Sequence, residues 1–405
     1  GTSVLMQNMT GINVSHYHGA KEISSTGTHE YTIDTDTNTP AAKQILFGGY
    51  QFKDANTTPT TSDTAKDVWA GRSVIGNTTT NNKLTINGTN HRDAYGGWTA
   101  GTGTTAAAKF NSTSNTVNLQ AGSVRNIYGG FTSVQSGNAT GNKVNISGGT
   151  VSGTVHGGYL SHASATGDAT GNTITITGGT MGDVYGGFTA GTGATTGNTV
   201  NLGTATTAFA AGTSVGTIFG GNKSTVTDNT LNVNSRNARA VDVKNFENVN
   251  FDVAHNVSHG DTMLTLTNGA NTSIDWSKMK LKNLDTITAS PTTNRILTLL
   301  NSTSNVTFTN YDAARARNAK TEGDYEYVLN TDNKTAQDKL VNVTGYRFAN
   351  NHPTYSAGSD PEAWGGRSKI GNKVEKNVLK VTGGTLTTAA YGGIAQNLEA
   401  GDGVD

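Results

Sequence analysis

Two short segments, Trp69-Ala70-Gly71-Arg72-Ser73 and Trp364-Gly365-Gly366-Arg367-Ser368, place an indole three residues before a guanidinium. An exposed indole beside a cation can stack on a sugar ring or hold an acidic glycan. The alternative is that the indole plugs a corner of the fold while the guanidinium braces a loop. Recurrence of Trp69/Arg72 as Trp364/Arg367 favours that structural role. Other residues with chemical potential are sparse. His16-Tyr17-His18 puts two imidazoles on the same side of a strand, half of a Zn, Cu or Ni site, with no third ligand at a fixed spacing. Calcium-built β-rolls need an Asp in each G-G-x-G-x-D turn, but here Gly186-Gly187 is followed by Phe188-Thr189. Cleavage of a polysaccharide would need clustered carboxylates, yet between Asn111 and Asn229 the carboxylates are Asp168, Asp183 and Asp228. Neither a G-x-S-x-G elbow nor a phosphate loop occurs, since Gly101-Thr102-Gly103 lacks the lysine and strand–loop–helix setting. The expectation is a protein without catalytic site, metal or cofactor.

Composition narrows the classes further. The chain has 405 residues, of which 33% are hydrophobic and 14% charged, with 52 glycines, no cysteine and a net charge of +0. The apolar fraction is low for a rounded core. The charge balance is unlike that of disordered chains, which combine low hydrophobicity with high net charge. No basic run exists to attract a phosphate backbone, so nucleic acid is not an expected partner. Without cysteine, disulfides and thiolate sites are excluded. No apolar run reaches the ~20 residues of a membrane-spanning helix.

What must position these residues is a repeat. One signature is Asn-x-aliphatic-x-aliphatic, at Asn82–Ile86, Asn115–Leu119, Asn142–Ile146, Asn172–Ile176, Asn198–Leu202, Asn229–Val233 and Asn377–Val381. The other is an aromatic followed by Gly-Gly. It occurs at Tyr95-Gly96-Gly97, Tyr128-Gly129-Gly130, Tyr185-Gly186-Gly187, Phe219-Gly220-Gly221 and Tyr391-Gly392-Gly393, with His156 in the aromatic place before Gly157-Gly158. Each unit predicts two short strands: an alternating one, such as Asn172–Ile176, then Asp183-Val184-Tyr185 running into the glycines. The Gly pair marks either a sharp bend or a close approach of neighbouring coils. The Asn stacks as an inward ladder or merely starts a turn. A unit of roughly 30 residues cannot bury its apolar face alone; stacking copies, each hydrogen-bonded to the next, gives a parallel β-helix, or β-solenoid.

A longer period overlies the short one. Glu30–Asp36 recurs as Glu326–Asp332, Gly49–Phe52 as Gly345–Phe348, and Trp69–Asn77 as Trp364–Asn372, at offsets of 295–296. The expected organisation is a first solenoid array with loops over residues 1–230, an all-β spacer or cap over 231–310, and the start of a second long unit over 311–405. The segment Tyr311–Lys320 is the best candidate for a helical turn. The longer loops Asp54–Asp67 and Asn350–Glu362 are the places expected to contact partners.

Units such as Gly171–Phe188 (GNTITITGGTMGDVYGGF), with Val243–Phe251 (VKNFENVNF) and Gly260–Thr267 (GDTMLTLT), resemble passenger regions of Gram-negative autotransporters, the type V secretion adhesins. The resemblance covers most of residues 80–310 and 370–395. It implies a right-handed parallel β-helix displayed at the bacterial surface, attached to the outer membrane through parts beyond this stretch. The implied partner is a receptor or glycan on host cells, other bacteria or matrix, or a second copy of the chain. Rival readings are a self-assembling surface filament, a polysaccharide-acting β-helix enzyme and, on account of the threonine repeats, an ice-binding face.

Overall fold

A computed structural model describes residues 64–101, 110–223, 227–253, 256–284, 297–312 and 327–344 in full. It also describes shorter stretches outside these ranges, some as backbone only. The chain is all-β, and its parallel strands stack as a β-solenoid. It divides into two compact units: Gly1–Leu202 with Ala210–Leu231 and Lys244–Glu247, and Gly203–Phe209 with Asn232–Val243 and Asn248–Asp405.

In the first unit, successive coils are carried by Val68–Ser73, Lys83–Thr99, Thr116–Thr132, Lys143–Leu160, Thr173–Thr189, and Thr199–Leu202 with Thr217–Gly221. The Asn-x-aliphatic strands stack in strict register: Leu84, Val117, Val144, Ile174 and Val200 form one inward column, and Ile86, Leu119, Ile146, Ile176 and Leu202 the next. All ten are buried. The facing wall comes from Ala94, Ile127, Val155, Val184 and Ile218, also buried and in register. Alternation therefore does what the period of two requires: aliphatics fill the interior, and Thr, Asn and Lys face out. Insertions such as 203–213 enter between strands without disturbing this register.

The strand after the turn continues through the glycines, as in Val184–Thr189, so the Gly pair is not a bend. Close approach is its reason. A Cβ on Gly129 would lie 2.5 Å from the Gly157 carbonyl oxygen, and one on Gly186 equally close to that of Gly220. In four pairs the second glycine makes room for an asparagine carboxamide: Gly97 faces Asn115, Gly130 faces Asn142, Gly158 faces Asn172 and Gly187 faces Asn198, whereas Gly221 faces Thr195 and Gly393 faces Val374. The two sequence signatures are thus halves of one contact, with Asn occupying the volume that Gly leaves.

The expectation that the first array reaches back to residue 1 needs correction. Strands Ser3–Met6, Ser24–Thr26, His29–Thr35 and Ile45–Gln51 pair antiparallel. The equivalent hairpin of the second long unit, Tyr325–Thr331 with Gln337–Arg347, has the same register: His29 faces Gln51 as Tyr325 faces Arg347, at an offset of 296 in both strands. Each long unit therefore opens with an antiparallel hairpin rather than a coil. In the second compact unit, Ala238–Ala240, Thr262–Leu266 and Arg295–Thr309 stack in parallel, and Arg295–Thr309 then pairs antiparallel with Gln337–Arg347. That hairpin covers the edge that a parallel stack otherwise leaves open. Beyond it, parallel pairing resumes between Ser359–Trp364 and Thr385–Tyr391. The helical candidate Tyr311–Lys320 lies mostly outside the described residues.

Candidate functional site

Three features follow from the register: a buried asparagine ladder, an outward aromatic face and the clamped arginine at one end of that face.

The ladder runs Asn82, Asn115, Asn142, Asn172, Asn198 and Asn229, all buried. Each carboxamide donates to the Oδ1 of the next, at 2.9, 3.2, 3.0, 3.0 and 3.4 Å. Each backbone N–H donates to that same Oδ1, at 3.1, 3.0, 3.0, 3.0 and 2.9 Å. The second amide hydrogen goes to a carbonyl of the preceding coil; Asn142 reaches Ser112 at 2.9 Å and Asn172 reaches Ala139 at 3.0 Å. Each interior side chain thus uses two donors and accepts two hydrogen bonds, the full capacity of a carboxamide. This is a structural spine whose interior rungs have no free group for a ligand; at its first rung, Asn82 Oδ1 is buried without a partner among the described residues.

The aromatics before the glycines point outward. Tyr95, Tyr128, His156, Tyr185 and Phe219 stack face to face with centroids 5.0, 5.3, 5.0 and 4.6 Å apart. Three residues on, Trp98, Phe131, Tyr159 and Phe188 form a second column at 6.4, 5.5 and 4.9 Å. Edge-to-face contacts of 4.6–5.5 Å link the columns, the shortest between His156 and Tyr159. Apart from buried His156, these rings are half-exposed. Each such pair adds about 0.5–1.5 kcal/mol beyond area burial. The second column escaped the sequence reading, although Trp98, Phe131, Tyr159 and Phe188 stand at a constant interval from the first and could have been found by it.

His156, at 4% exposure, lies between Tyr128 and Tyr185 and shares a 2.9 Å hydrogen bond with Thr154 through Nε2; its Nδ1 is buried without a partner among the described residues. Burial pushes its pKa down to about 3. An imidazole whose folded value lies below the unfolded one stabilises the fold above the unfolded pKa, about 6.5, and loses that contribution as pH falls toward the folded value. Denaturation midpoints are therefore expected to fall for the wild type as pH drops from 7 to 4. His156→Tyr is expected to flatten this loss. Equal slopes for both proteins would show that His156 is not the sensitive group.

Arg72 stands in the column of Trp98, and Trp69 in that of Tyr95. The guanidinium is sandwiched, with 4.6 Å to the Trp69 ring centroid and 4.6 Å to that of Trp98. At the other end of the face, the Lys244 ammonium lies 5.7 Å from the Phe219 centroid. Neighbouring cations are neutralised: Arg92 Nε donates to Asp67 at 2.7 Å and Arg125 Nε to Asp93 at 2.9 Å. In the second long unit, Arg367 stacks on Trp364 at 4.8 Å.

Asp168 and Asp183, weighed above as carboxylates for catalysis, accept backbone N–H groups of the next coil, from Ala194 and Thr217, each at 2.8 Å. His16 and His18 lie outside the described residues, as does more than half of Asp54–Asp67, while Asn350–Glu362 is mostly described and contains strand Thr354–Tyr355 and the start of strand Ser359–Trp364 rather than an open loop throughout. Among the described residues no three His, Asp or Glu side chains converge on a common point. No protein-family model, curated protein or solved structure matches the chain. The likeness to autotransporter passengers thus rests on the repeat units themselves.

Proposed function

We propose that this chain is a stiff, surface-displayed adhesive rod of the autotransporter-passenger type, and that its aromatic face takes part in adhesion alongside its loops. The observation that carries this reading is the two-column ring stack. The interior is already filled by aliphatics, and the ladder satisfies the buried polar groups at the corner. The rings add nothing that filling the interior requires, yet they persist in register from coil to coil on the outside. Aromatic residues are enriched at interfaces because their rings bring large contact area with little side-chain entropy to lose. A solenoid suits display, since stability is summed over neighbouring coils and length is added without a new core.

The test is binding of the recombinant chain to host cells, to bacteria and to a glycan panel, beside a Phe131→Ser/Tyr159→Ser variant and a loop-trimmed variant. Binding reduced in either variant is the expected result. Failure of the intact chain to bind any surface, together with ordered fibres formed by the purified protein, would replace the adhesive reading with that of a structural filament.

A further inference from the structure

The two Trp-x-Gly-Arg motifs have the same local backbone and different surroundings. Ala100 N–H donates to the Ser73 carbonyl at 2.8 Å, and Gln396 N–H to the Ser368 carbonyl at 2.7 Å, so Ala100 and Gln396 occupy equivalent places. In the second motif, Arg367 Nη2 donates to Gln396 Oε1 at 3.3 Å, and the residue in register with Arg367 is Ile394. In the first motif the register partner is Trp98, which closes a second indole over the guanidinium, and Ala100 offers no acceptor. Among the described residues Arg72 has no hydrogen-bond or ion-pair partner, and it remains half-exposed. One copy ties its arginine to Gln396 through Nη2, although its Nε stays buried without a partner among the described residues; the other copy has no such bond.

We propose that the Trp69–Arg72–Trp98 sandwich is a binding notch for the carboxylate of an acidic saccharide. This deepens the adhesive reading and rests on it. The guanidinium carbon lies 4.6 Å from both indole centroids, which restrains the group, and its N–H edges make no hydrogen bond among the described residues. Those edges match a carboxylate bidentately. The class of ligand follows from what surrounds the notch. Among the described residues no carboxylate pairs directly with Arg72, although Glu30 and Asp67 act on it electrostatically; with Arg92 and Arg125 tied to aspartates, one such cation suits a ligand with a single carboxylate rather than a sulfated chain or nucleic acid. Trp98 has Arg72 on one face and Phe131 on the other, so a sugar cannot lie flat on it. The saccharide instead meets ring edges and the hydroxyl-bearing column that begins at Tyr95.

The experiment titrates the full chain with sialyllactose, trigalacturonic acid, lactose, methyl-esterified trigalacturonic acid and an acidic peptide, read by indole fluorescence and calorimetry. One or both acidic saccharides are expected to bind, weakening with salt, and which does so separates sialic from uronic carboxylates. The neutral counterparts are expected to bind about tenfold more weakly or worse. Arg72→Gln should lose affinity by at least about tenfold, and Arg367→Gln should not change it. Ala100→Gln, which removes nothing and supplies the acceptor that Gln396 provides in the other copy, should also weaken binding; it decides the matter if Arg72→Gln fails to fold. Unchanged affinity in a folded Arg72→Gln, equal binding of neutral sugars, or tighter Arg72-dependent binding of the peptide would overturn the proposal. Cells bound equally by wild type and Arg72→Gln would leave the adhesive rod standing and remove the notch. Saccharide binding lost in Arg72→Gln, with no cell bound by the wild type, would do the reverse.

Discussion

Replacement of Asn172 by alanine is expected to destabilise the protein by about 3–5 kcal/mol, read as a fall in the urea midpoint. The arithmetic follows from what the carboxamide holds. Its Oδ1 is the hydrogen-bond partner of two Asn142 groups, the backbone N–H and Nδ2, each at 3.0 Å, and its own Nδ2 donates to Asn198 and Ala139. Deletion leaves the Asn142 N–H and the Ala139 carbonyl without these bonds in a dry corner, and each buried orphan costs about 1–3 kcal/mol. Asn172→Asp separates shape from hydrogen bonding. It fills the same volume and still accepts from Asn142, but it sets a carboxylate against Asn198 Oδ1 and the Ala139 carbonyl, so it should be no better than alanine. The control is Asn145→Ala. Asn145 also bonds its neighbour, donating to Asn118 at 2.9 Å, but on the exposed face. Its loss should be felt by no more than about 0.5 kcal/mol. A midpoint for Asn172→Ala like that of Asn145→Ala would sink the view that the ladder stabilises the stack.

The second large effect is expected from Gly186→Ala, at about 3 kcal/mol or more. The new methyl would lie 2.5 Å from the Gly220 carbonyl oxygen and 2.7 Å from Asn198 Cβ. Neither can yield cheaply, because Gly220 belongs to the next coil and Asn198 is held in the ladder. The alternative explanation of glycine, a left-handed backbone, makes a different prediction. Gly186 lies within a regular strand, whereas Gly179, at φ 95°, occupies the left-handed region at a turn. If coil spacing is the reason, Asn198→Gly should partly relieve Gly186→Ala, despite its own cost. No such coupling in the double mutant would leave the carbonyl as the sole obstacle and dissolve the Asn–Gly pairing argument at that position.

The fold was largely legible because its rules are local and repeated. Val and Ile at alternate positions of Asn142–Ile146 and Asn172–Ile176 leave one inward face, and repetition leaves stacking as the way to bury it. The ladder was half-legible: recurrence of Asn showed that the residue matters, but a turn starter and a stacked amide look alike in one dimension. Gly-Gly was ambiguous for the same reason, since a bend and a tight approach both favour glycine. The hairpin His29–Thr35 with Ile45–Gln51 was missed because an alternating strand carries no mark of whether its neighbour runs parallel or antiparallel. What distinguishes Arg72 from Arg367 was the least legible. It depends on Trp98, Ile394, Ala100 and Gln396, residues one coil away, and only their register brings them beside the motif.

The asparagine spine has a direction. From Asn82 to Asn198 each rung gives its backbone hydrogen and one amide hydrogen to the Oδ1 one level further along the chain, while in the interior rungs the second amide hydrogen turns back to a main-chain carbonyl of the level before. A level whose successor has not yet arrived holds two hydrogens with nowhere to go, and docking of the next level quenches both at once. Pulled from its C-terminal side, such a stack of coils should therefore come apart as a zipper, tooth by tooth, each release baring the donors of the tooth behind it. A load on the stack would be shed in small steps rather than in one fracture.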